Sequence, residues 1–167
     1  TRFLDNNIGC SLGVCTAIDW LFQNEETGII LEDDCRPQRS FFPFMKEMLQ
    51  RYKDDQRIGM VDGANYIKNY TIKDSYCFSK YKSTNGWGTW RRSWLNMDLD
   101  MQWRGTHYQP SIIKNIGYRA KDIRYWHYRL KAIDCGHVSA WDWQWYLTLS
   151  AQNQLSIFPK VSLISNI

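Results

Sequence analysis

The sequence predicts an α/β fold in which an open, mostly parallel sheet is flanked by helices. Two aliphatic runs, residues 29–31 and 58–61, lack polar alternation and suit short strands that are buried on both faces. A segment with apolar residues at three- and four-residue spacing precedes each run, which indicates amphipathic helices. Since helix and strand alternate at close range, the order favours parallel crossover units.

The composition indicates one soluble globular domain over residues 1–167, with 44% hydrophobic residues and a mean hydropathy of −0.53. No apolar run approaches the ~20 residues of a membrane span, and no signal peptide is visible. The net charge of +4 is too mild to imply nucleic acid as a partner. The five cysteines are odd in number and form no CxxC pair, which favours free thiols in a reducing, cytoplasmic compartment.

The first half of the chain gives a clear order of elements. A helix is expected from Ser11, which can cap it, and the first buried strand follows Gly28. Ser40 can cap a second helix. Its apolar face is formed by Phe41, Phe44, Met45, Met48, Leu49 and Tyr52. The second buried strand then leads into a loop at residues 62–65.

The second half is rich in tryptophan, and its elements are less regular. Residues 76–79 suit a strand. Trp87, Trp90 and Trp94 are spaced so that a helix would carry all three on one side. That stripe is either core packing or a flat surface for a sugar or a base, with Gly86 and Gly88 allowing close approach.

Further along, residues 95–118 give no clear element, and residues 119–131 predict a basic helix. Its charges suit either a solvated face or a pyrophosphate clamp. A last helix from Ser139 carries Trp141 and Trp145 on one face, and a strand at residues 155–159 and a loop at 161–167 follow it.

Two groups of acidic residues are candidates for a catalytic or metal-binding role. Glu32, Asp33 and Asp34 directly follow the first buried strand, and ligands of open α/β sheets bind at the carboxyl ends of strands. A divalent cation would relieve the repulsion among these carboxylates, whereas the alternative is an acidic turn that caps a helix. Asp142 either acts chemically or closes a capping box with Ser139, since the two residues have the S-x-x-D form.

Three motifs, taken in order, resemble the nucleotide-sugar glycosyltransferases of the GT-A fold, and most closely the group that includes N-acetylglucosaminyltransferase I. They are residues 28–37 (GIILEDDCRP), 86–94 (GWGTWRRSW) and 140–145 (AWDWQW), followed by an ending at residues 158–167 that is also similar. The resemblance covers most of the chain. It implies a partial GT-A fold without the usual N-terminal nucleotide-binding strand region, so the chain is expected to be a truncated form.

The resemblance implies an inverting transfer of a hexosyl or N-acetylhexosaminyl group from a nucleotide diphosphate donor to a hydroxyl of a glycan or other acceptor. Asp34 would bind Mn²⁺ or Mg²⁺, and Glu32 and Asp33 would contact the donor or the waters of the metal. Asp142 would be the catalytic base. Trp87 and Arg91 are expected to border the sugar pocket.

Two rival functions remain at this stage. A non-catalytic carbohydrate-binding domain would use the tryptophan-rich face and would need neither nucleotide nor metal. A metal-dependent phosphohydrolase would use the acidic triplet and would release phosphate without an acceptor. Two-metal hydrolases usually gather carboxylates from several strands, whereas one acidic cluster is obvious in this sequence.

Overall fold

A computed structural model describes residues 5–67, 73–117, 119–136 and 141–166. The helices are α1 (Cys10–Asn24), α2 (Phe41–Arg51), α3 (Arg91–Trp94), α4 (Gln109–Asn115), α5 (Ala120–Asp134) and α6 (Asp142–Ala151). The strands are β1 (Thr27–Ile30), β2 (Cys35–Pro37), β3 (Ile58–Asp62), β4 (Tyr76–Ser79), β5 (Trp87–Trp90), β6 (Leu155–Pro159) and β7 (Ile164–Asn166). Within the described ranges, no helix has the length and apolarity needed to cross a membrane.

The main sheet has the strand order β1-β5-β3-β6-β4, and β2 and β7 form a separate two-stranded ribbon. In the main sheet β3 and β6 pair in parallel, whereas β1–β5, β3–β5 and β4–β6 are antiparallel. The expectation of a mostly parallel sheet is therefore wrong. The protein is a mixed α/β structure whose open sheet is mostly antiparallel and partly parallel, because β5 lies between β1 and β3 and runs against both.

The directions of the strands bring several loops to one edge of the sheet. β1 and β3 each pair antiparallel with β5, and β6 is parallel to β3, so β1, β3 and β6 all run the same way. Their carboxyl ends therefore meet at one edge, together with the start of β5. The two aliphatic runs predicted that the carboxyl ends of β1 and β3 lie at the same edge of the sheet. They do so, although the antiparallel strand β5 lies between β1 and β3.

Helices cover both faces of the sheet, and each face has its own core. On one face α2 packs its apolar residues, among them Phe41 and Met45, against Val61 and Trp90. On the other face α1 and α6 meet the sheet through a cluster of Cys15, Ile18, Phe22, Met60, Trp87, Trp94, Trp141, Trp145 and Leu149. A third cluster joins α4, α5 and α6 beyond the sheet.

The segment around Trp87 differs from its predicted structure. Trp87 and Trp90 lie in strand β5, and a single helical turn, α3, begins only at Arg91. Because side chains alternate along a strand, residues three positions apart point to opposite faces. Trp87 accordingly packs with α1 and α6, and Trp90 packs with α2.

Three smaller differences concern element ends. The N-cap of α1 is Gly9 and not Ser11, and Ser40 occupies the N-cap position of α2 without a side-chain capping bond. The predicted loop at the end of the chain contains β7, which pairs with β2. The strand at residues 76–79 and the basic helix are confirmed as β4 and α5.

Arg92 fastens the turn between α2 and β3 to α3. Its guanidinium donates to the carbonyl oxygens of Lys53, Ile58, Tyr52 and Asp55, at 2.8, 3.0, 3.0 and 3.1 Å. The same group lies 4.5 Å from the centroid of the Trp90 ring. A planar group with several donors suits this convergence of backbone carbonyls, which a lysine ammonium could not match.

We expect Arg92→Met to lower the free energy of unfolding by about 3 kcal/mol, because several partly buried carbonyls lose a charged donor at once. Chemical denaturation followed by tryptophan fluorescence measures this change. Arg57→Met is the matched control, since Arg57 bonds Asp55 in the same turn but is largely exposed, and it should leave stability unchanged within error. Equal losses in the two variants would contradict the role given to Arg92.

Candidate functional site

The acidic loop, residues 32–34, follows β1 at the edge where the carboxyl ends of β1, β3 and β6 meet. The backbone N–H of Cys35 donates to the carbonyl of Glu32 at 3.0 Å, which closes the turn. The β2–β7 ribbon then holds the far end of the loop, and the Asn166 side chain donates to Asp34 Oδ2 at 3.3 Å. The Cys35 thiol donates to Asp34 Oδ1 at 3.6 Å.

The Glu32 carboxyl is affected by burial and by the other carboxylates of this site. Burial raises the pKa of Glu32 above its usual range, and the charges of Asp34, Asp142 and Asp33 raise the same pKa further. Asp142 therefore lies near enough to the acidic loop to act on it through its charge, although they are 108 or more positions apart in sequence.

The position of Asp142 follows from the packing of α6. A turn at residues 152–154 connects α6 to β6, so the two elements run in opposite directions and the start of α6 lies towards the carboxyl end of β6. Just before the helix, the Trp141 ring stacks on Trp87 at a centroid distance of 5.9 Å, and Trp87 begins β5 at the same edge. The structure thus brings Asp142 and the acidic loop to one edge of the sheet.

Asp142 is the first residue of α6, whose N-cap is Trp141 and has no side-chain capping bond. The capping-box alternative needs Asp142 at the third helical position, so the observed helix start does not support it, and its partner Ser139 lies outside the described residues. Burial raises the pKa of the Asp142 carboxyl. The backbone N–H groups of Asp142 and Trp143, and then the charge of Arg129, act in the opposite direction.

A crevice of about 450 Å³ opens beside Asp142. Its aromatic lining consists of Tyr66, Tyr81, Tyr125, Trp126, Trp143, Trp145 and Tyr146. Its polar lining consists of Lys82, Ser83, Thr84, Asn85, Asp122 and Asp142. A concave site with many rings and a few convergent polar groups is typical of a small-molecule pocket.

Gly86 joins the crevice to the acidic loop. Its φ of +63° is a conformation that favours glycine, and a Cβ atom there would lie 2.6 Å from Ile164 and 3.3 Å from Leu31. Asn85, which lines the crevice, precedes it directly, and Leu31 precedes the acidic loop. The crevice and the loop are therefore neighbouring parts of one candidate site.

Two ionisable residues, Lys82 and Asp62, lie at the crevice wall, where Lys82 is part of the lining. The Lys82 ammonium donates to the carbonyl of Lys80 at 2.6 Å and to Ser150 Oγ at 3.2 Å, and it lies 4.7 Å from the Tyr146 ring centroid. Burial lowers the pKa of Lys82 to about 7, against the opposing effect of the Asp62 charge. Asp62 is fully buried and accepts a bond from the Ser83 N–H at 2.8 Å, and burial raises its pKa well above the usual range.

Two of the predicted site residues, Trp87 and Arg91, do not line the crevice. Trp87 is fully buried, within 5.7–6.2 Å of the rings of Trp94, Trp141 and Trp145, so the alternative of core packing applies. The Arg91 guanidinium forms an ion pair with the Glu26 carboxylate at 2.5 Å, and the backbone N–H of Arg91 donates to the backbone carbonyl of Glu26. Glu26 precedes β1, whereas the acidic loop follows β1. Arg91 therefore lies at the end of the sheet opposite to the acidic loop.

The remaining predicted residues, Glu32, Asp33, Asp34 and Asp142, share the edge described above. Across the described ranges, no three histidine, cysteine, aspartate or glutamate side chains are grouped so that they could hold a metal ion by themselves. The loop nevertheless offers hard oxygen donors, and among the described residues Asp34 contacts a thiol and an amide, neither of them cationic. This donor set fits a Mg²⁺ or Mn²⁺ ion whose coordination an anionic ligand completes.

Sequence reasoning missed the crevice itself. Its residues come from four separate stretches, near residues 66, 81–85, 122–126 and 142–146, and only the folded chain brings them together. Asp62 carried a usable signal, because a carboxylate that directly follows a buried strand resembles the case of Glu32. Lys82 carried no signal in the sequence, since a lysine in a polar stretch usually lies on the surface.

We expect Lys82 to titrate near pH 7, and Asp62→Asn to move its midpoint lower, because the carboxylate that favours the ammonium is removed. Asparagine keeps an oxygen for the Ser83 N–H, so the local fold should persist. Carbon-13 NMR of the lysine Cε resonance measures the midpoint. Asp100→Asn, an exposed change elsewhere, should leave it in place, and a wild-type midpoint near 10.5 would refute the assignment.

Comparison with known proteins adds no relative, since no family model matches the chain and no curated protein matches it. The functional argument therefore depends on the residues and their geometry.

Proposed function

We propose that this protein is a divalent-metal-dependent glycosyltransferase of GT-A type, which transfers a sugar from a nucleotide diphosphate to an acceptor hydroxyl with inversion. The observation that carries the proposal is the meeting of two carboxylate groups at one sheet edge. The acidic loop and Asp142 interact through their charges, and an aromatic crevice opens beside Asp142. The segments that resemble glycosyltransferase motifs contain the same residues.

The donor would lie against the acidic loop. Asp34, with Glu32 and Asp33 beside it, would hold Mn²⁺ or Mg²⁺, which supplies positive charge that neutralises the diphosphate leaving group. Burial is the largest cause of the raised pKa of Glu32, and the charges of Asp34, Asp142 and Asp33 add to it. That additional contribution supports this placement, because an added cation relieves repulsion among the carboxylates. Glu32 and Asp33 are exposed and thus available to a ribose, a sugar or a water molecule.

The acceptor would lie in the crevice. Aromatic rings suit the apolar faces of a sugar ring, and the interspersed hydroxyl, amide and carboxylate groups suit its hydroxyls. Asp142 would take the proton of the attacking hydroxyl as the acceptor oxygen bonds to the anomeric carbon. The bond from that carbon to the diphosphate breaks, and the nucleoside diphosphate leaves with the electron pair. Attack opposite the leaving group inverts the anomeric centre.

Asp34→Ala should abolish Mn²⁺-dependent binding of a nucleoside diphosphate while the fold persists, because the carboxylate expected to bind the metal is gone. Isothermal calorimetry with uridine diphosphate, in Mn²⁺ and then in EDTA, measures the effect. Asp100→Ala serves as the control for loss of one exposed negative charge. Unchanged affinity in Asp34→Ala would remove Asp34 from the site.

Asp142→Asn keeps the shape of the side chain but cannot accept a proton, so turnover should fall by roughly 10²-fold or more with donor affinity little changed. Release of nucleoside diphosphate from a panel of nucleotide sugars, with free sugars as acceptors, provides the assay. Near-normal turnover combined with a small loss of stability would show that Asp142 serves the helix start instead.

The aromatic crevice equally favours one rival, a carbohydrate-binding domain without catalysis. That rival predicts glycan binding that is indifferent to nucleotide and Mn²⁺, and no release of nucleoside diphosphate under any condition. Glycan-array binding with and without Mn²⁺ and uridine diphosphate distinguishes the two functions. Metal-independent binding together with absent turnover would replace the transferase proposal.

A further inference from the structure

A second pocket, of about 310 Å³, lies at the C-terminal end of α6. Residues of two helices line it: Thr148, Ala151 and Gln152 from the end of α6, and Ser111, Ile112 and Asn115 from α4. Asp142 and Ala151, the first and last residues of α6, are about 13 Å apart along the helix axis. This distal pocket shares no lining residue with the crevice and is separate from it.

Several polar side chains of the distal pocket have hydrogen-bonding capacity that the protein itself does not use. The Ser111 hydroxyl and the Asn115 and Gln152 side-chain amides make no hydrogen bond to any described residue. The Asn96 amide donates to the Arg92 carbonyl at 3.0 Å, and its oxygen accepts no bond from the described residues. These groups can therefore bind a ligand without losing internal bonds.

Two aromatic rings add flat apolar surface to the distal pocket, those of Trp103 and Tyr108. Trp103 is 9% exposed and packs with Ile112 and Ile113 in the core that joins α4, α5 and α6. Tyr108 is 62% exposed. One ring is thus held by the core and the other is open to solvent, so a bound molecule can contact an aromatic face without displacing the core.

The chemistry of the lining favours a neutral, hydroxyl-rich ligand. Among the described residues that line the distal pocket there is no lysine, arginine or histidine, and Asp98 is the single acid. An anionic ligand would therefore lack a countercharge, and a metal ion would find one carboxylate, whose Oδ2 already accepts a bond from the Gln102 N–H at 2.7 Å. Amide and hydroxyl side chains offer both donors and acceptors, and so do the hydroxyls of a sugar.

We propose that the distal pocket is a binding site for a neutral saccharide, separate from the site of the proposed transfer reaction. Its unpaired amide and hydroxyl groups bond the sugar hydroxyls, while Trp103 or Tyr108 contacts the apolar face of a sugar ring. The volume is at the lower end of the roughly 300–1,000 Å³ typical of small-molecule sites, which favours a mono- or disaccharide. Binding there does not depend on the proposed function, because none of the residues assigned to the donor, the metal or the base lines this pocket.

Nitrogen-15 NMR of the full chain tests this proposal by titration with glucose, galactose, mannose, N-acetylglucosamine, cellobiose and maltose. The indole N–H of Trp103 is buried and has no hydrogen-bond partner among the described residues, so its resonance reports on the pocket wall, and Trp103→Phe assigns it. We expect at least one sugar to shift this resonance together with the side-chain amides of Asn115 and Gln152. No such shift at millimolar concentration, or shifts confined to the crevice indoles of Trp126 and Trp143, would overturn the proposal.

Matched variants test whether the unpaired amides bind the sugar. Gln152→Ala and Asn115→Ala should each weaken binding by roughly two- to tenfold, because each change removes a donor and an acceptor. Gln56→Ala is the control, since Gln56 is an exposed glutamine outside the pocket, and it should leave the affinity unchanged. Ser111→Trp fills the pocket from an exposed helix position and should abolish binding, also if an alanine variant fails to fold. Equal affinity in the pocket variants and in Gln56→Ala would sink the proposal.

Two further measurements separate this site from other ligands and from the proposed reaction. Shifts at Trp103 with uridine or inorganic phosphate, but with no sugar, would show that the pocket takes another ligand and would overturn the proposal. Gln152→Ala should leave the release of nucleoside diphosphate with free-sugar acceptors unchanged, and an equal loss of turnover would contradict the separation of the two sites. Absence of turnover in the wild type would remove the proposed function, whereas sugar binding at Trp103 would still decide the role of the distal pocket.

Discussion

The packing of four tryptophan rings is the constraint on which the candidate site depends. Trp87, Trp94, Trp141 and Trp145 lie with centroid distances of 5.0–6.2 Å between neighbouring rings. They join the start of β5, the single turn of α3 and the start of α6, while α1 covers them from outside. Because buried aromatic rings contribute large areas and packed interiors tolerate little displacement, this cluster holds Asp142 at the sheet edge that carries the acidic loop.

The electrostatic character of the site changes across a short distance. The acidic loop has Glu32 and Asp33 exposed and Asp34 half-buried, and the hydrogen bonds of Asp34 to described residues involve no cation. The crevice beside it contains both signs, since Lys82, Asp122 and Asp142 all line it. One side thus suits a cation with an anionic ligand, and the other suits a largely neutral, hydroxyl-rich ligand.

Local patterns identified elements well and their pairing poorly. The aliphatic runs predicted β1 and β3, and apolar spacing predicted α1, α2 and α5, because burial on one face leaves a periodic trace in the sequence. No such trace records that β5 inserts between β1 and β3, since strand pairing is settled by tertiary contacts. The spacing of Trp87, Trp90 and Trp94 favoured a helix, although the same residues serve two opposite faces of a strand and the turn after it. The edge position of Asp34 followed from strand direction, whereas Lys82, Asp62 and Arg129 acquire their surroundings only on folding.

Because the β2–β7 ribbon holds the acidic loop, we expect the loop to reach its final conformation late in folding. It pairs residues 35–37 with residues 164–166, and the bond from Asn166 to Asp34 spans 132 positions of sequence. Contacts of such separation form slowly, because a long loop must close before they contribute. During synthesis from the N-terminus, Asp34 leaves the ribosome long before its partner strand exists. The helix and strand that precede the loop can therefore assemble early, while the geometry around its carboxylates matures only when the chain has been made as far as β7.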